Sequence, residues 1–97
     1  MGDREHSCWK FTLYVAGGSD ENVSVINNLR SICASVLGND YDIEIIDLIK
    51  NPELSRHHRI LAVPTVVRLS PLPERRVIGD LSRSEQVVSG LGLPLKP

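Results

Sequence analysis

Trp9-Lys10-Phe11-Thr12-Leu13-Tyr14-Val15 runs into Ala16-Gly17-Gly18-Ser19-Asp20, and the chain then changes its period. In the first stretch Trp9, Phe11, Leu13 and Val15 alternate with Lys10, Thr12 and Tyr14, the period of two expected of a strand. Gly17 and Gly18 free the backbone for a tight turn. Ser19 or Asp20 is placed to accept orphan amide protons at a helix start. From 21 to 37 the apolar residues Val23, Ile26, Leu29, Cys33, Val36 and Leu37 recur at spacings of three and four, one face of a helix. Gly38 and Asn39 stop it. Tyr41-Asp-Ile-Glu-Ile-Ile-Asp-Leu48 alternates again. A strand, a helix and a second strand in this order imply a right-handed crossover and a parallel pair.

The second half is more subdivided. Asn51 can cap and Pro52 suits the first helical position, which predicts a helix of about ten residues through Leu54, His57, His58 and Leu61. Ala62-Val63-Pro64-Thr65 ends it, and Val66, Val67 and Leu69 favour a strand. Pro71-Leu72-Pro73-Glu74 reads as a turn and Arg75-Arg76-Val77-Ile78 as a short strand stopped by Gly79. Ser82 and Glu85 fit a capping box. Val87, Val88 and Leu91 continue that helix, with Gly90 and Gly92 ending or weakening it. The order is β-α-β-α-β-β-α, an α/β domain with a mixed sheet over 9–93. A polar leader, 1–8, precedes it and a proline-broken tail, 94–97, follows.

The 97 residues suit one domain with a small core. Aromatic residues make up only 4%, so Val, Ile and Leu must fill the core and no broad platform for stacking bases exists. Eleven basic and twelve acidic side chains leave a net charge of −1, without the field that draws in nucleic acid. No apolar run approaches the roughly 20 residues that cross a membrane, and the start lacks the basic-then-apolar order of a signal peptide. The expectation is a cytoplasmic protein free of membrane and nucleic acid.

Catalytic chemistry is hard to find. A thiol–disulfide enzyme needs a thiolate near a helix start, and the Ala16–Asp20 turn holds no cysteine. Cys33 falls on the apolar helix face, and Cys8 is not spaced to pair with it as Cys-x-x-Cys. A thiol- or glutathione-linked activity through Cys33 or Ser19 is the remote alternative. Glu53 and His57 share a helical face, but two ligands with His58 nearby do not close a metal site. Gly17-Gly18-Ser19 lacks the spacing of a phosphate loop. No catalytic residue, metal or cofactor is assigned. The suggestive charges are Arg56, Arg59, Arg68, Arg75, Arg76 and Arg83, since arginine favours bidentate pairing and contact rims.

Four runs carry a resemblance: Lys10-Phe-Thr-Leu-Tyr-Val-Ala-Gly17, Ile46-Asp-Leu-Ile-Lys-Asn-Pro-Glu-Leu54, Ile60-Leu-Ala-Val-Pro-Thr65 and Leu72-Pro-Glu-Arg-Arg-Val-Ile-Gly-Asp-Leu-Ser82. They resemble the KaiB family of circadian clock proteins. The resemblance implies a thioredoxin-like, metamorphic protein with an active monomeric form, β-α-β-α-β-β-α, and a resting tetrameric form, β-α-β-β-α-α-β. It implies a non-catalytic regulator that binds a KaiC-like ring ATPase and modulates its phosphorylation state. In that family the active form also sequesters KaiA and competes with a histidine kinase carrying a KaiB-like domain. A dimer or tetramer in the resting state is the expected self-association. Carried over by position, Arg68, Arg75 and Arg76 are implied partner contacts, and Pro64, Gly90 and Gly92 are implied fold-switch positions, with Pro64 cis in the active form. Three departures weigh against a KaiA-dependent role or a full oscillator. Glu44 stands where a basic residue is common, Gly92 where Asp is common, and the acidic tail of many members is missing after Lys96-Pro97. A stress-response or sensor module outside a full oscillator is the alternative.

Overall fold

Three helices and a four-stranded sheet follow one another as the sequence predicts: β1 (Trp9–Val15), α1 (Asp20–Leu37), β2 (Tyr41–Asp47), α2 (Glu53–His57), β3 (Thr65–Ser70), β4 (Arg75–Ile78) and α3 (Ser84–Leu91). The computed structural model describes residues 9–94; the leader 1–8, with His6 and Cys8, and residues 95–97 of the tail lie outside them. The sheet order is β2-β1-β3-β4. β1 pairs in parallel with β2 and antiparallel with β3, and β3 pairs antiparallel with β4.

This order puts β1 and β3 in the centre, where both faces of a strand are covered. Hence the alternation of β1 separates two packing faces rather than core from solvent. Phe11, Leu13, Val15 and Val66 pack on one face against Val25, Leu29 and Cys33 of α1 and Val87 and Leu91 of α3. Tyr14 and Val67 pack on the other against Ile60, with Ile46 and Leu48 alongside. Each apolar side chain buried this fully contributes roughly 1.5–3 kcal/mol. Ser19 caps α1 as predicted, its side chain accepting the Asn22 amide at 3.3 Å. Asp47 Oδ1 accepts the amides of Gly17, at 2.9 Å, and Ile49, at 2.8 Å, and so joins the glycine turn to the end of β2. Those two backbone donors, the Gly17 amide foremost, hold the Asp47 carboxyl below its ordinary pKa.

Three local expectations are corrected. α2 has five residues, not about ten, because Arg59 takes a left-handed φ of 56° directly after the capping residue His58. The Ile60 amide then turns back to the Ser55 carbonyl at 2.7 Å, the six-to-one bond of a Schellman ending. That bond buries Ile60 and leaves Leu61 96% exposed, off the helix and outside the core. The Asn51 side chain does not cap α2; its Nδ2 donates to the Asp47 carbonyl. Nor does Ser82 cap α3, whose N-cap is Arg83 without a side-chain bond. The Ser82 amide is instead taken by Asp80 Oδ1 at 3.0 Å. In each case a nearby tertiary or turn partner outcompetes the helix end for the same polar group.

α3 ends as α2 does. Gly92 is left-handed, at φ 65° and ψ 37°, and the Leu93 amide reaches back to the Val88 carbonyl at 2.9 Å. Gly90 sits inside the helix, where a Cβ would stand 2.6 Å from Val77 Cγ2 on β4. The missing methyl lets helix and strand close together. Alanine at a helix interior is worth about 0.8–1 kcal/mol over glycine, and overpacking costs roughly 1–3 kcal/mol. Gly90→Ala should therefore stabilise by about 1 kcal/mol in a Val77→Ala background and by clearly less, or not at all, with Val77 present. Urea denaturation of the four chains of that cycle measures the difference.

Candidate functional site

The arginines singled out in the sequence do not form one patch. Arg75 and Arg76 are neighbours on β4, so period two sends them to opposite faces of the sheet. Arg75 is registered opposite Arg68 and Arg76 opposite Val67. Arg68 and Arg75 therefore lie on the α1–α3 side, and Arg76 on the α2 side.

Arg68 is 5% exposed. Its Nη1 donates to the Leu91 carbonyl at 2.8 Å and the Gly92 carbonyl at 3.3 Å, and its Nη2 donates to the Pro73 carbonyl at 2.7 Å. Its Cζ lies 5.5 Å from the centroid of the Trp9 ring, a cation–π distance. Burial, and after it the Arg75 charge, lowers the Arg68 pKa from the ordinary guanidinium value. The guanidinium is thus an internal clamp on the carbonyl end of α3, where the helix dipole favours a cation.

Arg76 does the same for α2. Its Nη1 donates to the Arg59 carbonyl at 2.8 Å and its Nη2 to the His58 carbonyl at 2.7 Å, while Nε donates to Glu74 Oε2 at 3.0 Å. The His58 ring meets Tyr14 edge-on at 5.8 Å between centroids, and Nδ1 is bonded to the Tyr14 hydroxyl. Burial raises the Tyr14 pKa, Arg76 opposes that rise, and Glu44 and Glu74 add to it. Tyr14, Glu44, His58, Leu69, Glu74 and Arg76 line a groove of about 390 Å³ on this face. Sequence reasoning placed Tyr14 on the strand face opposite Trp9, Phe11, Leu13 and Val15, and weighed His57 and His58 as metal ligands. The contact between Tyr14 and His58 spans 44 positions and left no local signal.

A larger crevice, about 600 Å³, opens where β1 turns into α1, lined by Ala16, Ser19, Asn22, Val63, Pro64 and Asp80 among others. Pro64 follows a cis peptide bond, as do Pro71 and Pro73. Two amide or hydroxyl donors from Ser82, the backbone amide first, lower the Asp80 pKa. Cys33 does not line this crevice. It is fully buried in the core, and burial pushes its thiol up to about 12. Among the described residues no group of three or more His, Cys, Asp or Glu side chains is placed to hold a metal ion, and no helix is long and apolar enough to cross a membrane.

A mixed sheet with this order, a helix starting beside a cis-proline loop, and helices on both faces define the thioredoxin-like α/β fold. The N-terminal domain of SasA from Synechococcus elongatus has it, with a TM-score of 0.71 at 17% identity over 87% of this chain and 83% of that one. Chloroplastic thioredoxin z matches at a TM-score of 0.68 and 20% identity, over 93% and 80% of the two chains. The family model described as KaiB domain matches residues 12–93. The circadian clock oscillator protein KaiB of Synechococcus elongatus is 43% identical over 81 residues, 84% of this chain and 79% of its own length. That of Thermostichus vulcanus is 42% identical over 81 residues, 84% and 75% of the two chains. The chain belongs to the KaiB family, and its relatives support a regulatory role in a clock system.

Replacing Arg76 with Ala should leave the sheet folded and loosen the end of α2. Exposed charge-assisted bonds of this kind contribute about 0.5–2 kcal/mol together. Hydrogen exchange should therefore accelerate at Ile60 and His58 well before it does at Leu13. Equal protection in variant and parent would refute the clamp. For the thiol, a Cys8→Ser chain should leave Cys33 unreactive toward a disulfide reagent at pH 8, because the folded pKa lies far above that pH. Reactivity should appear only with urea, as the pKa falls back toward the ordinary thiol value.

Proposed function

We propose that this protein is a non-catalytic regulator that docks on a KaiC-like ring ATPase and modulates its phosphorylation state. The observation that carries the reading is the 43% identity to clock KaiB across most of the chain. It is supported by the placement of the thiol: the loop at the start of α1 offers Ser19 and no cysteine, while Cys33 is sealed in the core with its thiol pushed up to about 12. The β-α-β-α-β-β-α arrangement is the form proposed to bind, drawn from a tetrameric resting form, β-α-β-β-α-α-β. A partner that binds one form alone shifts the population toward it. Pro64, Gly90 and Gly92 are the proposed switching positions. Gly90 supports this by its close approach to Val77, and Gly92 by its left-handed backbone.

Arg68, Arg75 and Arg76 are the proposed partner contacts. Arg75, exposed and on an edge strand, is the arginine proposed to face the ATPase. Arg68 supports the binding form from within, and Arg76 from the exposed α2 face. Glu44, on the β2 edge strand, adds an acidic group there, and KaiA is left out of the proposed partners. Mass measurement of the complex after long incubation with a KaiC-like ATPase tests the proposal. A stable complex is expected, weakened by Arg75→Glu with the fold retained by circular dichroism. No complex after prolonged incubation would overturn it. Binding instead to the kinase-type sensor pathway, with no effect on the ATPase, would favour the stress-response or sensor reading.

A further inference from the structure

The crevice of about 600 Å³ between the start of α1 and the loop at Val63 and Pro64 lies outside the docking reading. Its size falls within the range of about 300–1,000 Å³ of ordinary ligand sites. Its walls are tied in place. Asn22 Nδ2 donates to the Ala16 carbonyl and Asn28 Nδ2 to the Asp80 carbonyl, both at 3.1 Å, and Asp80 Oδ1 accepts the Ser82 amide at 3.0 Å. The charged side chains that line the space are both acids, Glu21 and Asp80; no Lys, Arg or His lines it. Asp20 and Glu21 in the first turn of α1 set two full charges against the roughly half positive charge of a helix start. The Ser82 amide and hydroxyl keep Asp80 ionised, and Arg83 acts on it from outside the lining.

The loop wall adds a backbone edge. The Pro64 carbonyl takes the Gly79 amide at 3.0 Å, and the Ala62 carbonyl takes the Thr65 hydroxyl at 2.6 Å. Between them the Val63 N–H and C=O have no hydrogen-bond partner among the described residues, and Val63 is 40% exposed. One free donor and one free acceptor on a single residue are what an added strand exchanges bonds with.

We propose that this crevice binds an extended peptide segment of a partner protein, paired through the Val63 backbone and carrying a basic side chain held by Glu21 and Asp80. The carboxylates alone would select any amine; the free backbone of Val63 selects a polypeptide. Ala16, Val25 and Val63 offer apolar contact to the stem of a Lys or Arg side chain. The site requires neither the ATPase nor Arg75, so its failure leaves the docking reading standing.

Amide chemical shifts of the ¹⁵N-labelled full chain test the site, with a capped pentapeptide of alternating valine and lysine as the probe. Saturable shifts are expected at Asn22, Val63 and Ser82, with Leu69 and Arg75 unmoved. The same peptide with glutamate for lysine should bind at least about tenfold more weakly. Methylation of every peptide nitrogen removes the donors that reach the Val63 carbonyl and should abolish the shifts. Glu21→Gln combined with Asp80→Asn, which keeps an acceptor for the Ser82 amide, should weaken the lysine peptide by about threefold to tenfold. Unmoved amides elsewhere in that variant show that its fold is intact. n-Butylamine at matched ionic strength is the reference for charge alone. No saturable shift with the lysine peptide, equal shifts with n-butylamine, equal binding of the glutamate or methylated peptide, or unchanged binding in the double variant would overturn the site.

Discussion

Two guanidiniums on one hairpin hold the carbonyl ends of two short helices. Arg68 takes the carbonyls of Leu91 and Gly92 on one face of the sheet, and Arg76 takes those of His58 and Arg59 on the other. Both helices end in a left-handed residue followed by a buried apolar one, Arg59 with Ile60 and Gly92 with Leu93. Neither five nor eight residues is long enough to make a helix stable by itself. Their stability comes from the sheet, through Ile60 and Leu91 in its two cores and through these arginines. The two clamps are unequal. Charged hydrogen bonds contribute about 1.5–3 kcal/mol when buried, which describes Arg68, while exposure and the Glu74 pair reduce the worth of Arg76.

The first half depends on none of this. β1, α1 and β2 form a crossover whose 18-residue helix carries its own cap at Ser19, and whose turn is tied to β2 through Asp47. Local preferences and tertiary contacts agree there, as they do where one arrangement is strongly favoured. In the second half the polar contacts that hold α2 and α3 reach far along the chain. A partner able to bind one arrangement has correspondingly less free energy to overcome, which is the physical sense of the proposed regulation by change of form.

The crevice beside Pro64 lies where α1 begins; its polar side chains are hydroxyl, carboxamide and carboxylate groups, set beside Ala16, Val25 and Val63, while the thiol of Cys33 faces the core. Charge is what the surface offers instead. Arg75 projects from a four-residue edge strand, unpaired among the described residues, with Arg68 behind it. Such a charge on a short hairpin fits the proposed binding role.

The sequence by itself determined the element order and the helix face of α1, because those follow from period and from caps within a few residues. It also held the separation of Arg75 from Arg76, since adjacent strand residues must face opposite ways, although the two read as a pair when treated as a motif. Only the tertiary structure decided how α2 ends, why Asn51 and Ser82 leave their helices uncapped, and that Arg68 is internal. Each of these turns on a polar group choosing between a local partner and one brought near by the sheet. The Tyr14 hydroxyl finds His58, and the Arg68 guanidinium finds Leu91, across 44 and 23 positions. No local pattern records such a choice, because the competing bonds are of similar strength and the packing of β1 against β3 selects between them.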